Sequence, residues 1–322
     1  MIDQRALTNL RRFDDPRVGV SEEFLTPIIG GAGTLAVLTR PLGNALPTGW
    51  VLCHSLGLEQ LHLCRLEAEL ARALAARGFS VLRYHGQGYG DSERGMAEIS
   101  LTSHLADASD AVDLMAGLEG VERVGVIGSR FGAAVAALTA DGKGLPWMVL
   151  LDPPTRGSQY IRDFMLMGVF AKMLGKAEGE EPAERLLAEL DANGFADVKG
   201  FYLTRRAYDE ISALSLTKEV VRFRGASLLI AVTRAGKPGP GVPKLAAHLR
   251  SLGADCSVEV LADKYATEFG QYHFRFLEAT GAKRDIRLDL DASILRATVD
   301  WCVAHAAGAD KERQAPTSEV GS

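Results

Sequence analysis

The stretch Val124–Ala133, which reads VGVIGSRFGA, decides how this chain folds. It begins as an apolar, β-branched run, which favours a buried strand. The run ends at GSRFG, residues 128–132, and a segment of small residues typical of a helix follows. Side chains at the two glycine positions would collide with neighbouring backbone, so glycine there permits a sharp turn. The stretch therefore predicts a strand, a tight turn and a helix, with Arg130 at the tip of the turn.

This G-x-Nu-x-G pattern is typical of a nucleophile elbow, in which the central residue lies at the tip of a strained strand-to-helix turn. Here the central residue is Arg130. Arginine stays protonated in proteins and has no nucleophilic atom. Ser129 precedes the tip, and we expect its side chain to point elsewhere. The sequence thus predicts the scaffold of a serine-nucleophile enzyme without the reacting serine.

Composition is that of a globular protein with a sizeable core: 322 residues, of which 47% are hydrophobic and 24% charged. The net charge of −5 gives no reason to expect nucleic acid or an anionic membrane as partner. The first 16 residues lack the apolar stretch of a secretory signal, and no apolar run is long enough to span a membrane. The four cysteines show no metal-ligand spacing. We expect a cytoplasmic protein without a metal or other cofactor.

Strand patterns alternate with helix patterns along the chain, which predicts an α/β fold with a mostly parallel central sheet and helices on both faces. An antiparallel hairpin, Phe24–Ile29 with Gly33–Arg40, leads this sheet. After the strand Trp147–Leu151 the alternation pauses, and the helix-rich excursion there predicts a cap over the active-site edge. The predicted parts are an N-terminal extension at 1–21, a core at 22–153 and 224–307, a helical cap at 154–223, and a disordered tail at 308–322.

The element order and these motifs together resemble the α/β-hydrolase superfamily over roughly residues 22–306. LCHSLG, residues 52–57, lies where that superfamily has its His-Gly oxyanion loop. YHGQGYGDS, residues 84–92, is similar to its glycine-rich turn after the next strand. The resemblance implies an α/β-hydrolase fold and a triad in the chain order nucleophile, acid, histidine. It also implies a substrate or oxyanion pocket, for which the candidate residues are His54, Ser55, Leu56, Phe131 and Glu268.

A narrower resemblance is to the exosortase A system-associated hydrolases, especially the second type. The elbow of that group carries arginine in a GLRLG context, which GSRFG at 128–132 matches. LDPPTRGSQY at 151–160 is similar to its QPxxSGEQF segment, and VKGFYL at 198–203 is similar to its GYxL string. The resemblance implies a bacterial protein from gene neighbourhoods of extracellular polysaccharide and protein sorting, and it supplies no substrate.

The other two triad positions are also unusual. The acid usually follows the strand Ala226–Thr233, but the loop at 234–240 reads RAGKPGP and has no carboxylate. Asp152, after an earlier strand, is the candidate acid, and Asp263 and Glu268, in the loop before His273, are later alternatives. His273 is the candidate histidine, downstream of the last strand. Because nucleophile and acid both fail at their usual places, the pattern favours loss or replacement of hydrolysis.

Two hypotheses follow for Arg130. In the first, its guanidinium binds a carboxylate or phosphate beside the oxyanion-loop amides and a helix N-terminus. The protein then binds a small anionic or acyl-bearing ligand under the cap. In the second, Arg130 pairs with Asp152, Glu268 or Asp91 and plugs the site.

An active ester, thioester or amide hydrolase is the alternative function. It would use His273 as base with an unconventional nucleophile, for which Cys53 and Ser55 are further candidates. The apolar stretch Phe164–Leu174 fits either a homodimer contact or the wall of an acyl site.

Overall fold

The computed structural model describes residues 11–173, 182–233, 236–262 and 285–307. Within these residues, nine strands form the central sheet. They are β1 (Arg12–Asp15), β2 (Val20–Leu25), β5 (Ala36–Pro41), β6 (Thr48–Cys53), β7 (Ser80–Tyr84), β8 (Arg123–Ser129), β9 (Trp147–Leu151), β12 (Ala226–Thr233) and β13 (Asp255–Ala262). Two short ladders lie outside the sheet: β3 (Ile28–Ile29) with β4 (Ala32–Gly33), and β10 (Phe195–Val198) with β11 (Phe201–Thr204).

The sheet has the spatial order β1-β2-β5-β7-β6-β8-β9-β12-β13. Its strands pair in parallel from β7 through to β13, and the first four strands in this order pair antiparallel. The mostly parallel sheet predicted from the sequence is therefore confirmed. Strands β6 and β9 are buried along their whole length, as expected where helices cover both faces of a parallel sheet.

Helices cover both faces of the sheet. In chain order they are α1 (Gly57–Ala75), α2 (Leu101–Ala116), α3 (Phe131–Lys143), α4 (Gly157–Met173), α5 (Pro182–Asn193), α6 (Arg205–Ala213), α7 (Leu216–Glu219), α8 (Gly241–Ser251) and α9 (Asp285–Cys302). One apolar cluster joins α1 and α9 to one face, and a larger cluster joins α2, α3 and α8 to the other. Among the helices in the described part of the chain, none has the length and apolar character needed to cross a bilayer.

The N-terminal part of the sheet differs from the sequence-based prediction. Strand β2 pairs with β5 in antiparallel register, so the hairpin exists, but its strands are Val20–Leu25 and Ala36–Pro41. Strand β1 adds a further edge strand. The predicted core boundary at residue 22 is therefore too late, because Arg12–Asp15 already belongs to the sheet. The predicted tail at 308–322 lies outside the described residues.

The segment between β9 and β12 contains α4, α5, α6 and α7, as a helical cap requires. It also contains the β10–β11 hairpin, so the excursion is not purely helical. Helix α4 packs against α6, and its residues Phe164 and Met165 are buried. These two side chains of the apolar stretch Phe164–Leu174 therefore face the interior rather than solvent.

The elbow connects β8 to α3. Arg130 has a φ of 53° and a ψ of −122°, so a bulky residue holds a positive-φ backbone at the tip. A Cβ placed on Gly128 would lie 2.0 Å from the carbonyl oxygen of Gly132. A Cβ placed on Gly132 would lie 2.3 Å from the carbonyl oxygen of Cys53. Close backbone packing of helix against strands is thus the reason for both glycines.

We predict that Gly128→Ala lowers the free energy of unfolding by about 1–3 kcal/mol, because backbone must move to admit the methyl group. Gly142→Ala in α3 is the matched control, since a Cβ there meets nothing within 4 Å. The control should raise stability by about 0.5–1 kcal/mol, as alanine replaces glycine in a helix. Urea denaturation measures both changes. Equal stability of the two variants would contradict a tightly packed elbow.

Candidate functional site at the strand ends

The candidate site lies where the parallel strands end, the edge at which open α/β sheets bind ligands. Arg130 sits there at the tip of the elbow, and its amide donates to the Leu151 carbonyl over 2.8 Å. Its side chain is 11% exposed, so most of the guanidinium is withdrawn from water. A buried cation of this kind needs compensating acceptors.

Two carboxylates of the same chain supply that compensation. Arg130 Nε donates to Glu59 Oε1 over 3.1 Å, and Arg130 Nη1 donates to Asp152 Oδ2 over 2.9 Å. Glu59 lies in the first turn of α1, and Asp152 directly follows β9. The guanidinium therefore bridges the start of a helix and the end of a strand.

Among the three predicted pairing partners of Arg130, the structure places Asp152 at hydrogen-bond distance. Asp91 instead lies beside His85, with its Oδ2 at 3.5 Å from His85 Nδ1. Glu268 lies outside the described residues. The second partner, Glu59, was missed because an acidic residue in the first turn of a helix is ordinarily explained by the helix dipole.

Glu59 is held by more than the arginine. Its Oε2 accepts from Ser55 Oγ over 3.1 Å and from the Tyr160 hydroxyl over 2.6 Å. With Arg130 Nε, three side-chain donors converge on one carboxylate that is 1% exposed. The Tyr160 ring lies 5.6 Å from Arg130 Cζ, which adds a cation–π contact. The carboxylate of Glu59, an anion of the chain itself, thus lies next to the tip of the elbow.

The electrostatics keep Arg130 charged. Burial lowers the pKa of its guanidinium, but the charges of Glu59 and Asp152 outweigh burial and raise the pKa above its ordinary value. Burial raises the pKa of the Asp152 carboxyl, and the attraction of Arg130 offsets only part of that rise. Arg130 therefore acts as a fixed cation and has no role as a proton acceptor.

The loop predicted to bind an oxyanion is partly occupied by side chains. The Ser55 amide donates to Gln60 Oε1 over 2.7 Å, and the Gly57 amide donates to the Tyr89 hydroxyl over 2.9 Å. The amides of Leu56 and Phe131, the remaining predicted donors, make no hydrogen bond with the described residues. The amides of Leu56 and Phe131 therefore remain available to an anion, whereas those of Ser55 and Gly57 are used in hydrogen bonds to side chains.

His54 has a structural role in this loop rather than a catalytic one. It is 3% exposed, and its Nδ1 lies 2.8 Å from the Ser55 carbonyl oxygen. Its ring packs against that of Tyr89 in a tilted arrangement, with centroids 4.2 Å apart. Burial lowers the pKa of His54, so the ring stays neutral and serves as a structural donor.

The other candidate nucleophiles are buried. Ser129, the last residue of β8, is 3% exposed, and Ser55 is fully buried with its hydroxyl committed to Glu59. Burial raises the pKa of the Cys53 thiol, which disfavours a thiolate. None of the three donates to a histidine among the residues that the structure describes. His273, the candidate base, lies outside those residues.

Aromatic side chains fill the space between the cap and the oxyanion loop. The Phe131 and Tyr160 rings stack with centroids 5.7 Å apart, and Phe164 meets Phe201 edge to face at the same distance. Phe201 in turn stacks on Tyr89 at 6.2 Å. The region in which an acyl chain would approach the elbow from this side is therefore occupied by protein.

A cleft of about 240 Å³ is lined by Arg130. Its walls are the loop after β9, the first turns of α4, the end of β12 and the start of α8. Arg130, Asp152, Tyr160 and Asp163 all line it. The volume is somewhat below the roughly 300–1,000 Å³ of drug-sized ligand sites, which suits a smaller ligand.

Arg130 lines this cleft and keeps hydrogen-bond donors that the described residues do not use. Its side chain carries five N–H groups. The two ion pairs use one on Nε and one on Nη1, while Nη2 donates to no residue in the described ranges. In the same ranges, no three histidine, cysteine, aspartate or glutamate side chains are grouped as a metal site.

No protein-family model and no curated protein matches this sequence. Solved structures match it in fold. Est1E from Butyrivibrio proteoclasticus, in a complex with ferulic acid, is 15% identical, with a TM-score of 0.58 over 86% of this chain and 97% of its own. An esterase of Pyrococcus furiosus is 14% identical, with a TM-score of 0.53 over 78% and 85%. A proline iminopeptidase of Mycobacterium smegmatis is 14% identical, with a TM-score of 0.53 over 89% and 99%.

At these identities the likeness shows the fold and nothing finer. The chain has the α/β-hydrolase fold, and its structural neighbours are hydrolases with that fold. The fold class predicted from the sequence is therefore confirmed. The roles of the individual site residues rest on the geometry described above.

We predict that Arg130→Met lowers the free energy of unfolding by about 3–5 kcal/mol at pH 8, because the buried Glu59 and the partly buried Asp152 then lack their shared cation. Without the guanidinium, the pKa of Asp152 in the folded state rises further above its value in the unfolded chain. The folded state then takes up a proton more readily as pH falls, so the deficit should shrink toward pH 5. Urea denaturation across this pH range measures the effect.

The double variant Arg130→Met with Glu59→Gln is the control for that prediction. It removes one of the two stranded charges and should recover part of the lost stability. If Arg130→Met were as stable as the wild type at pH 8, the guanidinium would not be bridging the two carboxylates.

Proposed function

We propose that this protein is a non-hydrolytic member of the α/β-hydrolase fold that binds a small molecule in the cleft beside Arg130. The observation that carries the proposal is the bridge Glu59–Arg130–Asp152 at the elbow. The guanidinium of Arg130 lies at the tip of the elbow, the position at which this fold presents a nucleophile. The carboxylate of Glu59 lies next to this cation and blocks the approach of an ester carbonyl to the tip of the elbow.

Displacing Glu59 to admit an acyl group is unfavourable. Its carboxylate would lose bonds to Ser55, Tyr160 and Arg130 while remaining in a site with little access to water. Leaving such a group unpaired costs several kcal/mol. Glu59 does not line the cleft beside Arg130, so a ligand there needs no such displacement, which favours the cleft as the ligand site.

The ligand is expected to offer an acceptor to Arg130 Nη2. A carboxylate or an acyl carbonyl meets this requirement, in keeping with an anionic or acyl-bearing compound. Glu59 and Asp152 together place two negative charges against the single positive charge of Arg130. A neutral carbonyl is therefore favoured over a highly charged anion such as phosphate.

The narrower assignment, to the exosortase A system-associated hydrolases of the second type, is part of the proposal. Its support is the arginine of the GSRFG elbow and the motifs at 151–160 and 198–203. A bacterial cytoplasmic location belongs to the same proposal. The alternative function, an active ester, thioester or amide hydrolase with His273 as base, needs a nucleophile outside those weighed above.

Probe labelling separates these two functions. We expect the wild type to show no labelling by a fluorophosphonate probe or by iodoacetamide at Ser129, Ser55 or Cys53, and no turnover of p-nitrophenyl esters. The reason is that all three side chains are buried and lack a histidine partner among the described residues. Arg130→Ser is the comparison, and gained labelling there would identify a disarmed hydrolase site. Labelling of any wild-type serine, or ester turnover by the wild type, would overturn the proposal.

Ligand binding tests the role of Arg130 directly. We expect butyramide and butyrate to raise the melting temperature of the wild type more than inorganic phosphate does. Arg130→Lys keeps the positive charge between Glu59 and Asp152 but lacks the second pair of guanidinium donors. It should stay folded and bind these compounds at least tenfold more weakly, about 1.4 kcal/mol. Unchanged affinity in Arg130→Lys, or no response to any of these compounds, would contradict the proposed site.

A further inference from the structure

The cleft beside Arg130 is also lined by Asp163, a carboxylate that makes no hydrogen bond or ion pair with the residues the structure describes. Asp163 lies on α4 and lines the cleft together with Tyr160. No described residue donates a hydrogen bond to its carboxylate or lies within ion-pair distance. Burial raises the pKa of Asp163, although the positive charges of Arg130 and Arg162 lower it. The carboxylate is thus partly withdrawn from water and lines a space that the described residues leave open.

The cleft consequently offers two complementary groups to one ligand. Arg130 Nη2 supplies donors, and Asp163 supplies an acceptor. The two groups are electrostatically coupled, since Arg130 is one of the charges acting on Asp163. A ligand that carries both a carbonyl-type acceptor and a positively charged donor satisfies both groups at once.

Asp163 sets the sign of the donor on the ligand. Arg130 and the exposed Arg156 are the positive groups of the cleft lining, and Asp152 and Asp163 are the negative ones. Nearby, Glu59 adds a negative charge and Arg162 adds a positive charge, so the charges balance. Glu59 and Asp152 are ion-paired with Arg130, whereas Asp163 makes no ion pair with a described residue and therefore favours a cationic group on the ligand.

Shape limits the rest of the ligand. A cleft of about 240 Å³ is somewhat smaller than the roughly 300–1,000 Å³ of drug-sized ligand sites. Pro153, Pro240 and Val242 give it apolar walls around the polar groups. The space therefore suits a compact aliphatic portion beside the charged end and excludes a polymer.

We propose that the cleft binds an α-aminoacyl compound with a free ammonium group and a small aliphatic side chain. The acyl oxygen accepts from Arg130 Nη2, and the ammonium donates to Asp163. This inference rests on the proposed function, because it names the ligand class of that same site. It adds a recognition residue, Asp163, whose role is independent of the elbow.

Calorimetry and thermal shift with matched compounds test this proposal. The probes are the amides of glycine, alanine, valine, leucine and proline, with L-leucine added as the zwitterion. For each amide that binds, the N-acetyl derivative removes the ammonium, and the corresponding simple amine removes the acyl oxygen. We expect the free amides to bind at least tenfold more tightly than either derivative.

Asp163→Asn is the decisive variant, because it keeps the shape of the side chain and removes its charge. It should weaken the free amides at least tenfold and leave the weak binding of the N-acetyl derivatives unchanged. Asp209→Asn, on the exposed face of α6, is the matched control and should change neither. Circular dichroism and the melting temperature establish that both variants are folded.

The outcomes separate this inference from the proposed function. N-acetyl derivatives that bind as tightly as free amides, or an Asp163→Asn variant with unchanged affinity, would overturn the α-aminoacyl class while leaving Arg130 recognition in place. Absence of binding by all of the probes would also overturn it. In that case the response to butyramide and butyrate, and its loss in Arg130→Lys, still decides the proposed function separately.

Discussion

The bridge from Glu59 through Arg130 to Asp152 is the interaction on which the site depends. The elbow places a guanidinium where it is 89% withdrawn from solvent, given its 11% exposure. A cation there would be strongly destabilising on its own. The first turn of α1 and the end of β9 each supply one carboxylate, and the hydroxyls of Ser55 and Tyr160 satisfy the remaining oxygen of Glu59. Removal of any one of these groups would leave another charge or polar atom of the site without its partner.

This set explains why the departure from a serine hydrolase extends beyond one residue. A guanidinium at the tip requires anions, and the nearest places for them are the oxyanion region and the end of the neighbouring strand. Once Glu59 occupies the first, the region that would receive a substrate carbonyl is filled. The amides of Ser55 and Gly57 are then bonded to Gln60 and Tyr89. The carboxylates of Glu59 and Asp152 both serve to compensate the buried charge of Arg130.

The cap contributes to the same outcome from above. Its residues Tyr160, Phe164 and Phe201 pack against Phe131 and Tyr89, so apolar rings replace the open channel on that side. Access to Arg130 remains through the cleft between α4 and α8. The cleft is bounded by both a cap helix and a core helix, so the cap supplies one of its walls. The elbow thus serves as an anchor for one wall of a small polar site.

Sequence alone determined the element order, the mostly parallel sheet and the position of Arg130. These depend on local signals: apolar periodicity sets strands and helices, and the glycines of GSRFG are required by backbone contacts at the turn. Asp152 was identifiable as a candidate because it directly follows a strand of the sheet. Strand β1 was not, since its four residues, RFDD, show little apolar character. The short β10–β11 hairpin likewise carried no signal that separated it from the surrounding cap helices.

Only the tertiary structure decided what Arg130 does. Glu59 and Arg130 are 71 residues apart, and no spacing rule relates an acid in the first turn of one helix to the tip of a distant turn. Their contact arises because parallel strands β6 and β8 are neighbours in the sheet, so the segments that follow them meet at one edge. Likewise, Asp163 and Arg130 share a cleft only once α4 folds back over the end of β9. The sequence determined which charges exist; the packing of strand ends determined which of them are paired and which remain open to a ligand.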